Sequence, residues 1–306
     1  MADNITTTVE VDPAVATTYQ RALLRPNYPE YIYNRFAKRY SIKAKSGNTM
    51  KFRRYNRYSA ATTPITEGIT PNGHKQSKVD LEAEINQYGD FCTITDVVDL
   101  TVEDKNVAVE VELQADQMNA TYDQLTRDIL VGSASSTTCS NGEVTATLLN
   151  STDIKGVRQT MRENRAKFMT KVIKSSQGQG TAPIRPSYWG MADTDLESDF
   201  EDVTGFRSIT NYPGNQGVDA MEWGYTNNVR WLTSTEGYVT GGTYSCPIIG
   251  QEAYATIDLS GGNAKSIIHG PTDPLEQRTT IGWKMWQVAR ILNDLYIHVL
   301  KCTTAY

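Results

Sequence analysis

The stretch from Asn48 to Ile85 limits the possible folds of this 306-residue chain more than any other. Asn48 to Tyr55 (NTMKFRRY) is short and β-prone. Lys78 to Ile85 (KVDLEAEI) alternates without a break: Val79, Leu81, Ala83 and Ile85 take one face, and Lys78, Asp80, Glu82 and Glu84 the other. Period-two alternation predicts a half-buried strand. Between the two segments lies Ser59 to Gln76, rich in Thr, Pro and Gly, with a turn tetrad at Thr70-Pro71-Asn72-Gly73. If the strands pair, Lys51, Arg53 and Arg54 stand near Asp80, Glu82 and Glu84, which helps register but cannot hold the element in place. A two-stranded projection with so long a tip is barely stable in water alone. It calls for a neighbour.

Charge is distributed to match. Residues 1–60 hold 11 Lys/Arg against 4 Asp/Glu, whereas residues 61–135 hold 4 against 14. A chain basic at its start and acidic in its next quarter can pair with itself or with copies of itself; two solvated faces are the plainer alternative. The net charge of −5 and mean hydropathy of −0.47 are ordinary for a soluble protein. No stretch approaches the roughly 20 apolar residues of a membrane helix. The N-terminus lacks the basic start and apolar core of a signal peptide, so synthesis in a cytoplasm is expected.

Along the chain, Thr-rich residues 1–12 read as a flexible arm that becomes helical from Asp12-Pro13, with Tyr31 to Tyr40 resuming the helical pattern. Val102 to Leu130 predicts a long helix. Val107, Val111, Ala115, Met118, Tyr122, Leu125 and Ile129 form its apolar stripe, and Glu103, Asp104, Glu110, Glu112, Asp116, Asp123 and Asp128 the opposite, outward face. Asp153 to Phe168 predicts an amphipathic helix, and Leu196 to Phe200 and Asp219 to Gly224 short helices or turns. Asn228 to Thr233 predicts a strand, while Cys246 to Leu259 mixes both signals. Ile281 to Leu292 and Tyr296 to Cys302 read as strands of one hairpin turning at Asn293-Asp294. Within it Trp283 and Met285 share one face and Trp286 and Val288 the other, so both faces are core.

Reactive constellations are not found. No HExxH, P-loop or GxSxG motif occurs, and Gly178-Gln179-Gly180 lacks a dinucleotide fingerprint. His74, His269 and His298 are scattered. Asp90, Asp96 and Asp99 cluster, but helix capping and charge pairing explain them more simply than a hard metal ion. No catalytic, cofactor or metal residues are assigned. Cys92, Cys139, Cys246 and Cys302 have no metal or disulfide spacing and read as free thiols. KFRRYNRY interleaves basic and aromatic residues as single-strand binders do. The acidic row opposite it leaves only loose electrostatic contact with nucleic acid.

Several stretches in order resemble one family: Tyr19 to Asn56, TPITEGITPNG (Thr63 to Gly73), INQYGDFCTITDVVDLT (Ile85 to Thr101) and YDQLTRDIL (Tyr122 to Leu130). IIGQEAYATIDL (Ile248 to Leu259), DPLEQRTTIGWKMWQVARIL (Asp273 to Leu292) and the LYIHVLKCTTA ending complete the series. Over nearly its whole length the chain resembles major capsid proteins of tailed bacteriophages with the Johnson fold, closest to the branch typified by the short-tailed phage "N-four". Glu276 stands where that family usually has asparagine, and Gly178 to Gly242 matches most loosely.

The resemblance implies an α+β chain in five runs. They are an N-terminal arm (1–40), an extended β loop (41–95), a peripheral domain with a spine helix (96–175), an axial domain (176–265) and peripheral C-terminal strands (266–306). It implies a non-enzymatic shell of hexamers and pentamers around packaged double-stranded DNA, with the extended loop lying over an adjacent subunit. Arg53, Arg54, Arg57, Asp80, Glu82, Glu84, Glu110 and Asp116 are then the candidate inter-subunit contacts. Because the match starts near Tyr19, a separate scaffolding protein is expected, together with a portal and a decoration protein; a membrane partner is not. The alternatives are an encapsulin-like compartment, a β-rich adhesion or tail protein, and a carboxylate-based hydrolase.

Overall fold

The structure is a computed structural model and describes residues 28–97, 106–133, 135–140, 145–172, 184–212, 217–260, 265–270, 275 and 277–305. The helix expected after Asp12, together with Asp99, Glu103, Asp104, Gly178-Gln179-Gly180 and Glu276, lies outside the described residues.

Among the described residues fifteen strands, numbered in chain order, fall into three sheets. The smallest is the expected antiparallel pair, β2 (Thr49–Tyr55) and β3 (Lys78–Glu84). The five-stranded sheet holds β1 (Lys38–Ile42), β4 (Asn86–Thr95), β12 (Tyr254–Leu259), β13 (Lys265–His269) and β14 (Arg278–Ile291). Its long β14 pairs with β4 along one edge and with β13 and then β12 along the other. The eight-stranded sheet holds β5 (Ser136–Thr138), β6 (Tyr188–Asp193), β7 (Arg207–Ser208), β8 (Glu222–Thr226), β9 (Val229–Ser234), β10 (Tyr238–Thr240), β11 (Thr243–Ile249) and β15 (Ile297–Cys302).

Central strand β6 is buried at every position. Tyr188 and Ala192 join a core with Trp231, Phe200 and Leu300. Trp189 and Met191 join a second core with Ile32, Tyr33, Leu130 and Tyr254. Successive side chains of a strand point to opposite faces, so one strand serves two cores. Gly190 sits where β6 meets β9 opposite Trp231, and a β-carbon there would lie 2.5 Å from the indole ring. Only glycine leaves room for the indole to lie against the strand there.

Among the described residues three α-helices accompany the sheets: α1 (Asn106–Val131), α2 (Ser151–Glu163) and α3 (Glu197–Asp202). Helix α2 starts where Asn150 accepts the Asp153 N–H at 2.8 Å, and it buries Ile154, Val157 and Met161. Phe168, expected at its far end, lies beyond the helix and packs beneath Arg162.

Four local expectations are corrected. Residues 33–36 form a turn leading into β1, not a helix, because the N–H groups of Ile32 and Asn34 are taken by a side chain of α1 and β1 joins β12 as a parallel neighbour. Glu222 to Gly224 are strand, held opposite β9. The last two strands are not a hairpin: both edges of β14 are occupied, and Asn293 caps a 3₁₀ turn that sends β15 into the other sheet beside β11. Their tryptophans are nonetheless core, with Trp283 buried and Trp286 packed on a third cluster around Ile42, Ala83, Ile85 and Ile257.

The fourth correction concerns α1. Its inward residues are Gln114, Asp123, Thr126 and Leu130, whereas the apolar stripe from Val107 to Ile129 is half-buried and Ala115 is exposed. Asp123, expected on the outward face, is 1% exposed. The neighbouring chain presents backbone donors, and a donor excluded from water must find an acceptor. That requirement outweighs the stripe.

Candidate assembly interface

The paired strands β2 and β3 are built as their alternation requires. Met50, Phe52, Leu81 and Ala83 face inward, and Ala83, Met50 and Phe52 pack at the base against Ile257, Trp286 and Val288. The hairpin is thus rooted in its own chain. Beyond Tyr55, residues 56–78 are exposed throughout, with Ile65 at 76% and Ile69 at 65%. Large apolar side chains so far from any core mark a contact surface.

On the outer face Lys51 Nζ lies 2.6 Å from Glu82, and Arg53 Nε 2.8 Å from Asp80, which Lys78 also approaches at 3.0 Å. Hydrogen bonds from Arg53 and Lys78, aided by their charges, hold the Asp80 carboxyl below its ordinary range. Glu84 accepts from the Asn48 amide at 2.8 Å. Arg54 stands opposite Val79 on the other face, away from the acidic row, and Arg57 is exposed near the tip. The rows that the sequence puts near each other therefore meet within one chain, at Lys51–Glu82 and Arg53–Asp80.

Helix α1 carries the other candidates. Glu110 accepts from Gln114 at 3.0 Å, and Asp116 accepts from the Tyr31 hydroxyl at 2.5 Å. Gln117 bridges to the five-stranded sheet, donating to Asp90 at 2.7 Å and accepting the Trp283 indole N–H at 2.8 Å. Asp123 is the residue that sequence reasoning missed. Its carboxylate accepts the backbone N–H of Ile32 at 3.2 Å, the N–H of Asn34 at 3.0 Å and the Asn34 amide at 3.0 Å. Burial pushes its pKa up to about 6, opposed by those donors. Arg35 then pairs with Asp219, tying the same turn to the segment before β8. One aspartate among five acids on the helix carries no sequence signal for this role, since only the fold brings Ile32 and Asn34 to it.

Side chains that could support catalysis are dispersed. His74 stacks on Tyr58 at the hairpin tip, His269 ends β13, and His298 in β15 contacts Thr137 at 2.7 Å, its pKa lowered by burial. Asp90 and Asp96 accept the backbone N–H groups of Phe91 and Val97, each at 2.8 Å. All four cysteines are free. Burial raises the Cys139 thiol, and Cys302 is raised by its hydrogen bond to Cys246 and by burial, which makes both poor nucleophiles. Among the described residues no group of three or more His, Cys, Asp or Glu could hold a metal ion, and no helix is long and apolar enough to cross a membrane.

No family model and no curated protein matches the chain. Solved structures do. The acidic stable capsid structure of Helicobacter pylori bacteriophage KHP30 matches with a TM-score of 0.68 at 11% identity, covering 99% of this chain and 100% of that one. The cyanophage Pam1 capsid matches at 0.67 with 13% identity and 100% of both chains. The holo-SrpI encapsulin complex from Synechococcus elongatus matches less well, at 0.59 with 9% identity, over 95% of this chain and 93% of that one. At such identities the likeness establishes the fold: a mixed α+β, strand-rich chain with the Johnson fold of phage capsid proteins.

Proposed function

We propose that this chain is the major capsid protein of a tailed phage. Hexamers and pentamers of it form an icosahedral shell around packaged double-stranded DNA. The observation that carries this is the hairpin tip, which leaves Ile65 and Ile69 in water on a chain whose entire length follows a capsid fold. A neighbouring subunit is the natural cover for that surface. Exposed pairs such as Lys51–Glu82 contribute little singly, but a closed shell repeats each contact many times. Weak individual contacts also let a misplaced subunit leave.

The finer reading keeps residues 1–40 as arm, 41–95 as extended loop, 96–175 and 266–306 as peripheral domain and 176–265 as axial domain. Arg53, Arg54, Arg57, Asp80, Glu82, Glu84, Glu110 and Asp116 remain the candidate contacts between subunits. Membership of the "N-four" branch, assembly in a host cytoplasm, a scaffolding protein, a portal, a decoration protein and non-specific contact with the genome belong to the same proposal. The role is structural rather than enzymatic. An encapsulin-like compartment is the second reading, with the lower structural similarity.

Negative-stain microscopy of the purified protein, checked by size-exclusion elution, tests the proposal. Closed isometric shells, or rings that become shells when a scaffold is added, are expected. A monomer at every concentration and with every scaffold would overturn it.

A further inference from the structure

A groove of about 410 Å³ beside the β8–β9 turn is cationic, and no carboxylate among the described residues lines it. Arg158 of α2, Arg185 just before β6 and Arg207 of β7 line it, with Tyr225, Asn227 and Asn228. Among the described residues none of these arginines forms an ion pair.

The groove is scaffolded rather than incidental. Asn227 and Asn228 both adopt positive φ, 50° and 69°, as a tight turn between twisted strands requires. Asn227 donates to Ser151 at the start of α2 at 3.1 Å, and Asn228 donates to the Pro186 carbonyl at 3.0 Å. The turn thereby fixes both segments that carry Arg158 and Arg185. Arg158 reaches toward the turn, its Nη1 3.5 Å from Asn228 Oδ1, and Arg207 stands directly opposite Tyr225 across the β7–β8 pair. Burial raises the Tyr225 phenol above its ordinary value even though Arg185, Arg230 and Arg207 pull it down, so it remains a neutral donor. Arg230 is already neutralised by Glu222 and adds no free charge.

Three guanidiniums around one concavity repel each other, most strongly at low ionic strength. A multivalent anion relieves it. The planar fork of arginine matches phosphate oxygens in pairs, and a single carboxylate would leave two forks without a partner. We propose that this groove binds a phosphate-bearing anion through Arg158, Arg185 and Arg207, with the Tyr225 hydroxyl as a further donor. A free phosphate or pyrophosphate and the backbone of a nucleic acid present the same oxygens. The site lies within one chain and holds whether or not the chain builds a shell.

Isothermal titration of the purified full chain with sodium pyrophosphate at low salt tests this. Saturable binding at one site is expected. Arg185→Gln and Arg207→Gln, both at exposed positions where folding tolerates change, should each weaken it about tenfold. Arg57→Gln on the hairpin should leave it unchanged. A mixed-sequence DNA duplex that displaces pyrophosphate would assign the phosphate to nucleic acid, and one that fails to do so would assign it to a free anion. The proposal is overturned by the absence of saturable binding, by equal affinity in Arg207→Gln and wild type, or by preference for a polyglutamate peptide over pyrophosphate.

Discussion

The carboxylate of Asp123, on α1, receives the backbone N–H of Asn34 at 3.0 Å, one of several contacts that join this helix to the chain entering β1. With the Ile32 N–H on its other oxygen, Asp123 fixes a turn that no local pattern would form.

Its protonation gives a stability term of known sign. The folded-state pKa is raised to about 6 by burial, so the native chain binds a proton that the unfolded chain has already released. That contribution is present at low pH and is lost as pH rises through the folded value. Wild type should therefore lose about 2–3 kcal/mol relative to Asp123→Asn between about pH 4 and pH 7. Urea unfolding across that range measures it, and parallel curves for the two proteins would contradict the assignment.

Arg230 and Glu222 form a pair removed from water, 3.4 Å apart and both with fully buried side chains. Glu222 also accepts from the Tyr212 hydroxyl and the Val218 N–H, each at 2.7 Å. Arg230→Met leaves the carboxylate without its charge partner and should cost about 3–5 kcal/mol. Adding Glu222→Gln should cost less than the two single changes together, because the groups are coupled. Strict additivity in denaturant unfolding would show that the pair is not a unit.

Gly190→Ala should destabilise the eight-stranded sheet by about 1–3 kcal/mol, because the new methyl must displace the Trp231 ring within a filled core. A shift of tryptophan emission together with a lower unfolding midpoint is the expected result. An unchanged midpoint would mean that the indole moves freely.

Ile65→Asp and Ile69→Asp place charges where side chains are exposed, so thermal unfolding of the isolated chain should not change. Assembly should fail, as seen by microscopy and sedimentation. Shells of normal yield from the double variant would remove the hairpin tip from the interface.

Much of the candidate interface is legible in sequence, because its elements are local. Alternation from Lys78 to Ile85 gives the strand, its two faces and the charge rows that meet at Lys51–Glu82 and Arg53–Asp80. The amphipathic character of α2 is read in the same way, although its cap at Asn150 and its end at Glu163 are not. The arginine groove is not legible, since residues 158, 185 and 207 share no motif and meet only because the Asn227–Asn228 turn binds both neighbouring segments.

By itself, then, the sequence determined which segments alternate, which are amphipathic, and that one projection lacks cover of its own. These follow from side-chain periodicity, a property of consecutive residues. The tertiary structure decided which strands are neighbours and which polar groups go inside. It parted β14 from β15 because both edges of β14 were taken, and it turned Asp123 inward past a more apolar stripe. Unpaired backbone donors arriving from residues some ninety positions away need an acceptor, and no local pattern records where they will arrive.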